Sequence, residues 1–289
     1  MSDSLQRFIL ESTPVRGEIV HLDATWRAVL ERRDYPEPLR NLLGEMMAAG
    51  ALLSATLKFD GALIMQMQGE GPVRLLVVEV TSEQTMRATA KWEGDLAAAD
   101  LKTLLGSGRF VITIVPNDGK QTYQGVVSLV GSSVAEVLEH YMLQSEQLET
   151  RLWLACDPRQ AAGLMLQKMP AAQTRDADAW NRAVKLGETI TAQELLRLPA
   201  RDIVHRLYHE EDVRLFDPRP VAFRCSCSRE RVTSMLRILG REEVQSILEE
   251  RQKVDVECEF CGRKYSFDAV DAEQVFASEI PMRASKTRH

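Results

Sequence analysis

Four of the five cysteines in this 289-residue chain fall in two short stretches, FRCSCSRERV at 223–232 and VECEFCGRKYSFD at 256–268. They make a CxC pair, Cys225 and Cys227, and a CxxC pair, Cys258 and Cys261, separated by thirty residues. Four thiolates at about 2.3 Å suit a tetrahedral zinc ion or a similar soft cation. Cys258 and Cys261 flank a turn with Gly262 next to it, so both sulfurs can face one ion. Cys225 and Cys227 share a side of an extended segment, because residues i and i+2 do. The pattern predicts one four-cysteine site with a single Zn2+ in the reduced state. The CxC spacing also has a redox side. Residues i and i+2 of an extended chain lie roughly 6.5 Å apart, near the upper limit of disulfide geometry. A Cys225–Cys227 bond is therefore strained and readily reduced, while a Cys258–Cys261 bond closes more easily. Metal-held sulfurs are thiolates, the form that oxidants attack. Pairing them would withdraw the ligands and remove stabilisation that in zinc-finger peptides is on the order of 10 kcal/mol.

Other thiol chemistries fit less well. A nucleic-acid finger needs a basic surround, yet residues 225–289 carry eleven Lys/Arg against twelve Asp/Glu. A dithiol oxidoreductase needs its CxxC at a helix N-terminus, whereas CEFC runs into the strand-like RKYSF. A constitutive metal-stapled interaction module, whose thiols never switch, remains the main alternative to a redox sensor. The net charge of −6 argues against a general nucleic-acid or anionic-membrane binder. No basic stretch followed by an apolar run opens the chain, and MMAAGALLSATL at 46–57 is too short to span a bilayer. The expectation is a soluble cytoplasmic protein. Thiols there stay reduced, which favours metal or redox chemistry over a disulfide scaffold.

The elements that must position these sulfurs fall into three regions of an α+β chain. Residues 1–170 read as an N-terminal domain of mixed, largely antiparallel sheet with helices. PLRNLLGEMMAAGALLSATLKF (38–59) has helical apolar spacing. GALIMQMQ and PVRLLVVEV form a hairpin around Gly69-Glu70-Gly71, and RFVITIV and QTYQGVVSLV another around Pro116-Asn117-Asp118-Gly119. A helix at 132–147, with Ser132 or Ser133 as N-cap, and two strands in RLWLAC and AAGLMLQKM complete the domain. Residues 171–224 read as a helical, metastable linker. Thr191 and Glu194 fit a capping box, and Pro199, Pro218 and Pro220 cut the region into short pieces that depend on docking. Residues 225–289 form a small C-terminal zinc-binding redox domain of two helices, two strands and a final helix. At that size a metal staple matters.

At these residues the chain resembles the 33-kilodalton heat-shock protein family of redox-regulated holdase chaperones. The resemblance lies in the CxC and CxxC stretches and in VRGEIVHL, LLGEMMAAGALLSATLKFDGALIMQMQGEGPVRLLVVE and YMLQSEQLET. It covers most of the chain, with departures in the charged tail RASKTRH and in Cys156, which takes no role from it. The resemblance implies a non-enzymatic, ATP-independent chaperone that is inactive when reduced and zinc-bound. Oxidation with heat would form two neighbouring disulfides, release zinc and unfold the linker, exposing apolar surface to unfolding client proteins. It further implies an oxidised homodimer and a downstream ATP-dependent refolding chaperone. Trp180, Leu195, Leu196, Ile203 and Leu207 are the candidates for client contact, and otherwise serve as docking contacts.

Several other features invite functional readings and have plainer ones. His205 and His209 stand four apart, but Arg206 occupies the glutamate position of a zinc-protease motif, so they read as solvated. Cys156 reads as a buried, inert thiol. Gly69 and Gly71 read as turn residues, and the methionines from Met46 to Met67 as core.

Overall fold

The computed structural model describes residues 3–57, 60–97, 100–170 and 176–277. The start of the linker at 171–175 and the tail from 283 lie outside the described residues. The chain divides into two units, Met1–Arg224 and Cys225–His289.

The first unit is organised around one helix. Among β1 (Ser4–Leu10), β2 (Val15–Leu22), α1 (Ala24–Leu30) and α2 (Glu37–Thr56), the last is apolar nearly all round. Such a helix has no face to offer water and must be enclosed. It packs against strands of two sheets, and Met46, Met47, Leu52 and their neighbours are fully buried. The close approach is set by glycine. A Cβ at Gly50 would come within 3.1 Å of Val78, tighter than most real contacts.

One sheet is built from β3 (Gly61–Gly69), β4 (Val73–Thr81), β5 (Thr85–Trp92), β6 (Gly108–Pro116) and β7 (Tyr123–Ser128), in the order β5-β4-β3-β6-β7. The short helix α3 (Leu101–Leu105) precedes β6. Leu63, Met65 and Met67 alternate inward along β3, the period-2 pattern of a strand with one covered face. The methionines and the glycine turn thus serve as sequence reasoning expected. Both expected hairpins form, and β3 joins them by pairing with β4 and β6.

The other sheet follows α4 (Val134–Ser145), whose N-cap Ser133 accepts from the Glu136 N–H. The expected strands β8 (Thr150–Cys156) and β9 (Ala161–Lys168) join β1 and β2 in the order β1-β2-β9-β8. Its outer face carries α5 (Ala179–Gly187), α6 (Ala192–Arg197) and α7 (Ala200–Tyr208).

Over the described residues 176–208 of the linker the expected helices form, and beyond Tyr208 the expectation of helices fails. There the chain extends as β10 (Val213–Leu215) and β11 (Arg219–Pro220), both antiparallel to β1, and β12 (Ala222–Phe223), parallel to β5. Short extended pieces pair with strands far away in the chain, and Pro220 stands opposite Ser4 on a sheet edge where proline is tolerated. Among the described residues no helix is long and apolar enough to cross a membrane.

The second unit contains α8 (Arg229–Leu239), α9 (Arg241–Arg251), β13 (Val254–Glu257), β14 (Lys264–Phe267) and α10 (Ala269–Ala277). Its core is small and includes Val232, Leu236, Val244, Val254, Phe267 and Phe276.

Candidate metal centre

The β13–β14 hairpin creates the CxxC half of the site. Its register ends at Glu257 opposite Lys264, and the Cys258 N–H donates to Arg263 O at 2.9 Å. Inside that turn the N–H groups of Cys261 and Gly262 donate to Cys258 O at 3.3 and 2.8 Å. The turn closes through Gly262 at φ +68°, a left-handed conformation that glycine adopts without a Cβ penalty. On the CxC side, Ser228 caps α8 by accepting from the Arg231 N–H, which fixes the helix start just after Cys227.

All four sulfurs converge. Each Sγ of Cys225, Cys227, Cys258 and Cys261 lies within 4.8 Å of the others. The Cys225–Cys258 separation is 3.7 Å and the Cys227–Cys261 separation 3.4 Å. A tetrahedron with 2.3 Å arms has edges of about 3.8 Å, so the donor set fits a four-coordinate soft cation. All five cysteines of the chain are free thiols. Burial, and then the neighbouring thiols, push Cys261 up to about 12, while the Arg263 backbone works in the opposite direction. Burial likewise raises Cys258, against backbone contacts from Phe260 and Cys261 that favour its thiolate. A bound cation would supply the charge that holds four such thiolates together.

Tyr265, from β14, donates its hydroxyl to Cys227 Sγ at 3.1 Å. Groups that orient metal ligands are commonly worth 10–100-fold in affinity. Tyr265→Phe is therefore expected to weaken metal binding about tenfold, measured by competition with a chromogenic chelator.

The linker candidates come together elsewhere, on one apolar face. Trp180, Leu195, Leu196, Ile203 and Leu207 are all buried against Phe8, Leu10, Val15, Ile19, Leu164 and Leu166 of the sheet. Ile203 is 0% exposed and Leu195 1%. The capping box is present in full, with Thr191 and Glu194 each bonding the other's backbone N–H. Sequence reasoning missed two polar clasps on this interface. His21 Nε2 donates to Leu195 O at 3.0 Å, and Gln160 Nε2 to Leu196 O at 2.6 Å. They satisfy carbonyls at the end of α6 that have no helical partner. One of three polar residues in β2 and another just before β9 gave no signal of this role.

His205 and His209 are exposed on and just after α7, with ring centroids 5.9 Å apart, and belong to no metal-binding group among the described residues. Cys156 is half-buried at the end of β8 against α2, where a Cβ on Gly44 would strike its sulfur. Burial raises its thiol well above the ordinary range, as expected for an inert cysteine.

Beside it, burial raises Glu45 to about 7 from an ordinary 4.5. Between those values the folded chain binds more protons than the unfolded one, so this group's contribution to stability falls as pH rises through the window. Glu45→Gln is expected to flatten that slope and to stabilise the protein near pH 8 by about 1–3 kcal/mol, read from melting temperatures across the window.

Comparison with known proteins places this architecture. The Hsp33 protein family matches residues 3–268. The 33 kDa chaperonin of Methylobacillus flagellatus is 53% identical over 291 residues, covering 100% of this chain and 99% of its own length. That of Nitrosococcus oceani is 50% identical over 287 residues, covering 99% of each. The crystal structure of the 33 kDa chaperonin from Thermotoga maritima has a TM-score of 0.82, covering 96% of this chain and 99% of its own. At 20% identity that last likeness is one of fold. Two sheets about a buried helix, followed by a small four-thiol unit, mark the protein as a chaperone of this class. The chain belongs to the Hsp33 family.

Proposed function

We propose that the protein is a redox-regulated, ATP-independent holdase, inactive while its thiols are reduced and zinc-bound. Cys225, Cys227, Cys258 and Cys261 serve as ligands and as sensor, in a switch domain at 225–289. Residues 171–224 act as the conformational relay. The observation that carries the reading is a four-thiol cluster in one chain with a helical cover over an apolar sheet face.

The ion's role is to keep four thiolates together in a unit with a small core. Oxidation joins Cys225 to Cys227 and Cys258 to Cys261. Each bond forms from two thiolates and surrenders two electrons, which with two protons from solvent reduce one hydrogen peroxide to two waters. The donor set is then gone, and a 65-residue unit loses the staple on which it depends. With heat, the linker helices leave the sheet, and Phe8, Ile19, Leu164 and Leu166 become available to apolar segments of unfolding clients. The protein performs no catalysis, works in the cytoplasm, dimerises when oxidised and passes its clients to an ATP-dependent refolding chaperone.

The test follows both halves of the switch. Zinc-loaded protein is treated with peroxide at mild heat while zinc release and the aggregation of a thermally unfolding client are recorded. Zinc release together with suppressed aggregation is the expected result. Zinc release with unchanged aggregation would remove the chaperone half of the reading. Client protection with zinc retained would instead indicate a constitutive metal-stapled module, and turnover of a small disulfide substrate would indicate an oxidoreductase.

A further inference from the structure

After α7 the chain lies along β1 as a strap. The Glu11 N–H donates to Asp212 O at 2.8 Å, the Phe216 N–H to Arg7 O at 2.9 Å and the Val221 N–H to Asp3 O at 3.3 Å. The register sets Ile9 opposite Arg214, between the first two of these bonds. Hydrogen-bonded positions alternate along an antiparallel pair. The odd-numbered residues of β1 therefore turn their backbone groups to the strap, and the even-numbered ones turn theirs to β2.

The strap's side chains also alternate. Val213 and Leu215 extend the apolar cluster around Phe8 and Leu10, while Arg214 between them pairs with Glu11. The hold is interrupted. After Phe216 the chain leaves β1, and Asp217 and Pro218 arch over a groove of about 300 Å³ lined also by Leu5, Arg7, Glu18 and Ala55. Pairing resumes for two residues only, at Arg219 and Pro220.

We propose that the outer edge of β1 is a client-binding edge, uncovered when the strap departs with the linker. Its occupant is an extended segment of an unfolding polypeptide with aliphatic residues at alternate positions and a polar or cationic residue between them. That segment adds to the sheet as an antiparallel strand in place of Val213–Leu215. The proposal rests on the linker release described above and names what one surface then takes up. Added strands gain affinity through main-chain hydrogen bonds and selectivity through alternate side chains. The resident Val-Arg-Leu shows which chemistry the edge accepts. An unpaired edge with an apolar flank is a template for another chain, and unfolding proteins supply free extended segments that folded ones do not.

Amide exchange measured by NMR on the full-length, zinc-loaded protein tests this. Ile9 and Glu11 report on the strap side, and Phe8 and Leu10, bonded to β2, are internal references. The probe is reduced, carboxymethylated α-lactalbumin, which is permanently unfolded. In the reduced protein Ile9 and Glu11 are expected to be protected. Peroxide with mild heat should release them by about tenfold or more, and the probe should restore their protection while the references hold throughout. Zinc release and probe binding with Ile9 and Glu11 left open, or never opened, would overturn the edge while leaving the thiol switch intact. Retained zinc with no probe binding would overturn both.

Discussion

Replacing Ile203 with aspartate is expected to yield a protein that suppresses client aggregation with its thiols reduced and its metal bound. Ile203 is fully buried between α7 and the sheet face formed by Phe8, Ile19 and Leu164. Losing an aliphatic side chain at such a site costs about 2–5 kcal/mol, and an unpaired carboxylate there adds a desolvation penalty. The helices are short, so little local stability resists undocking. The cheapest response is for the linker to leave the sheet rather than bury the charge. Leu207→Asp should act alike, whereas Arg201→Asp, on the exposed side of the same helix, should change nothing. Light scattering of a heated client, with metal content measured in parallel, decides the matter. Inactivity of stable, metal-loaded, reduced Ile203→Asp would count against the linker as relay.

Stripping the metal from the reduced protein should have the largest effect on stability, and a confined one. The second unit is expected to lose its fold, because on the order of 10 kcal/mol of metal-linked stabilisation exceeds what a core of this size supplies. The first unit has its own cores around α2 and beneath α5–α7 and should remain intact. Chelation should therefore collapse the amide dispersion of residues 225–277 while β3, β4 and β6 keep theirs. A second unit that stays folded in metal-free buffer would show the cluster to be dispensable for structure. Cys261→Ser, which removes one donor, should reproduce the collapse.

The parts legible in the sequence were those whose determinants are local. Four cysteines at short spacings, the Thr191–Glu194 capping box, Ser133 before α4 and the turns at Gly69–Gly71 and Pro116–Gly119 announce themselves within a few residues. What stayed hidden depends on distant partners. In β2, Glu18 and His21 look like solvent-facing residues, yet both are buried, one against Arg7 and the other against the carbonyl of Leu195. The strap pieces at 213–223 are two or three residues long and interrupted by prolines. Their strand character comes from β1 and β5, so no period within the segment could reveal it. The sulfur spacing predicted convergence, but the turn geometry at Gly262 and the Tyr265 hydroxyl on Cys227 emerge only from the folded hairpin.

The placement of aromatic residues gives the protein an optical readout. Of its 4 tryptophans, Trp26 and Trp92 belong to the core around α2, and the second unit has none. Trp180 on α5 and Trp153 on β8 sit where the linker helices meet the sheet, with Gly187 packed onto the Trp153 ring. Tryptophan emission therefore arises from the first unit alone, and two of its four sources report on the cover lifting. Recorded beside metal release, the tryptophan emission of the unlabelled protein would time separately the two stages of the activation proposed above.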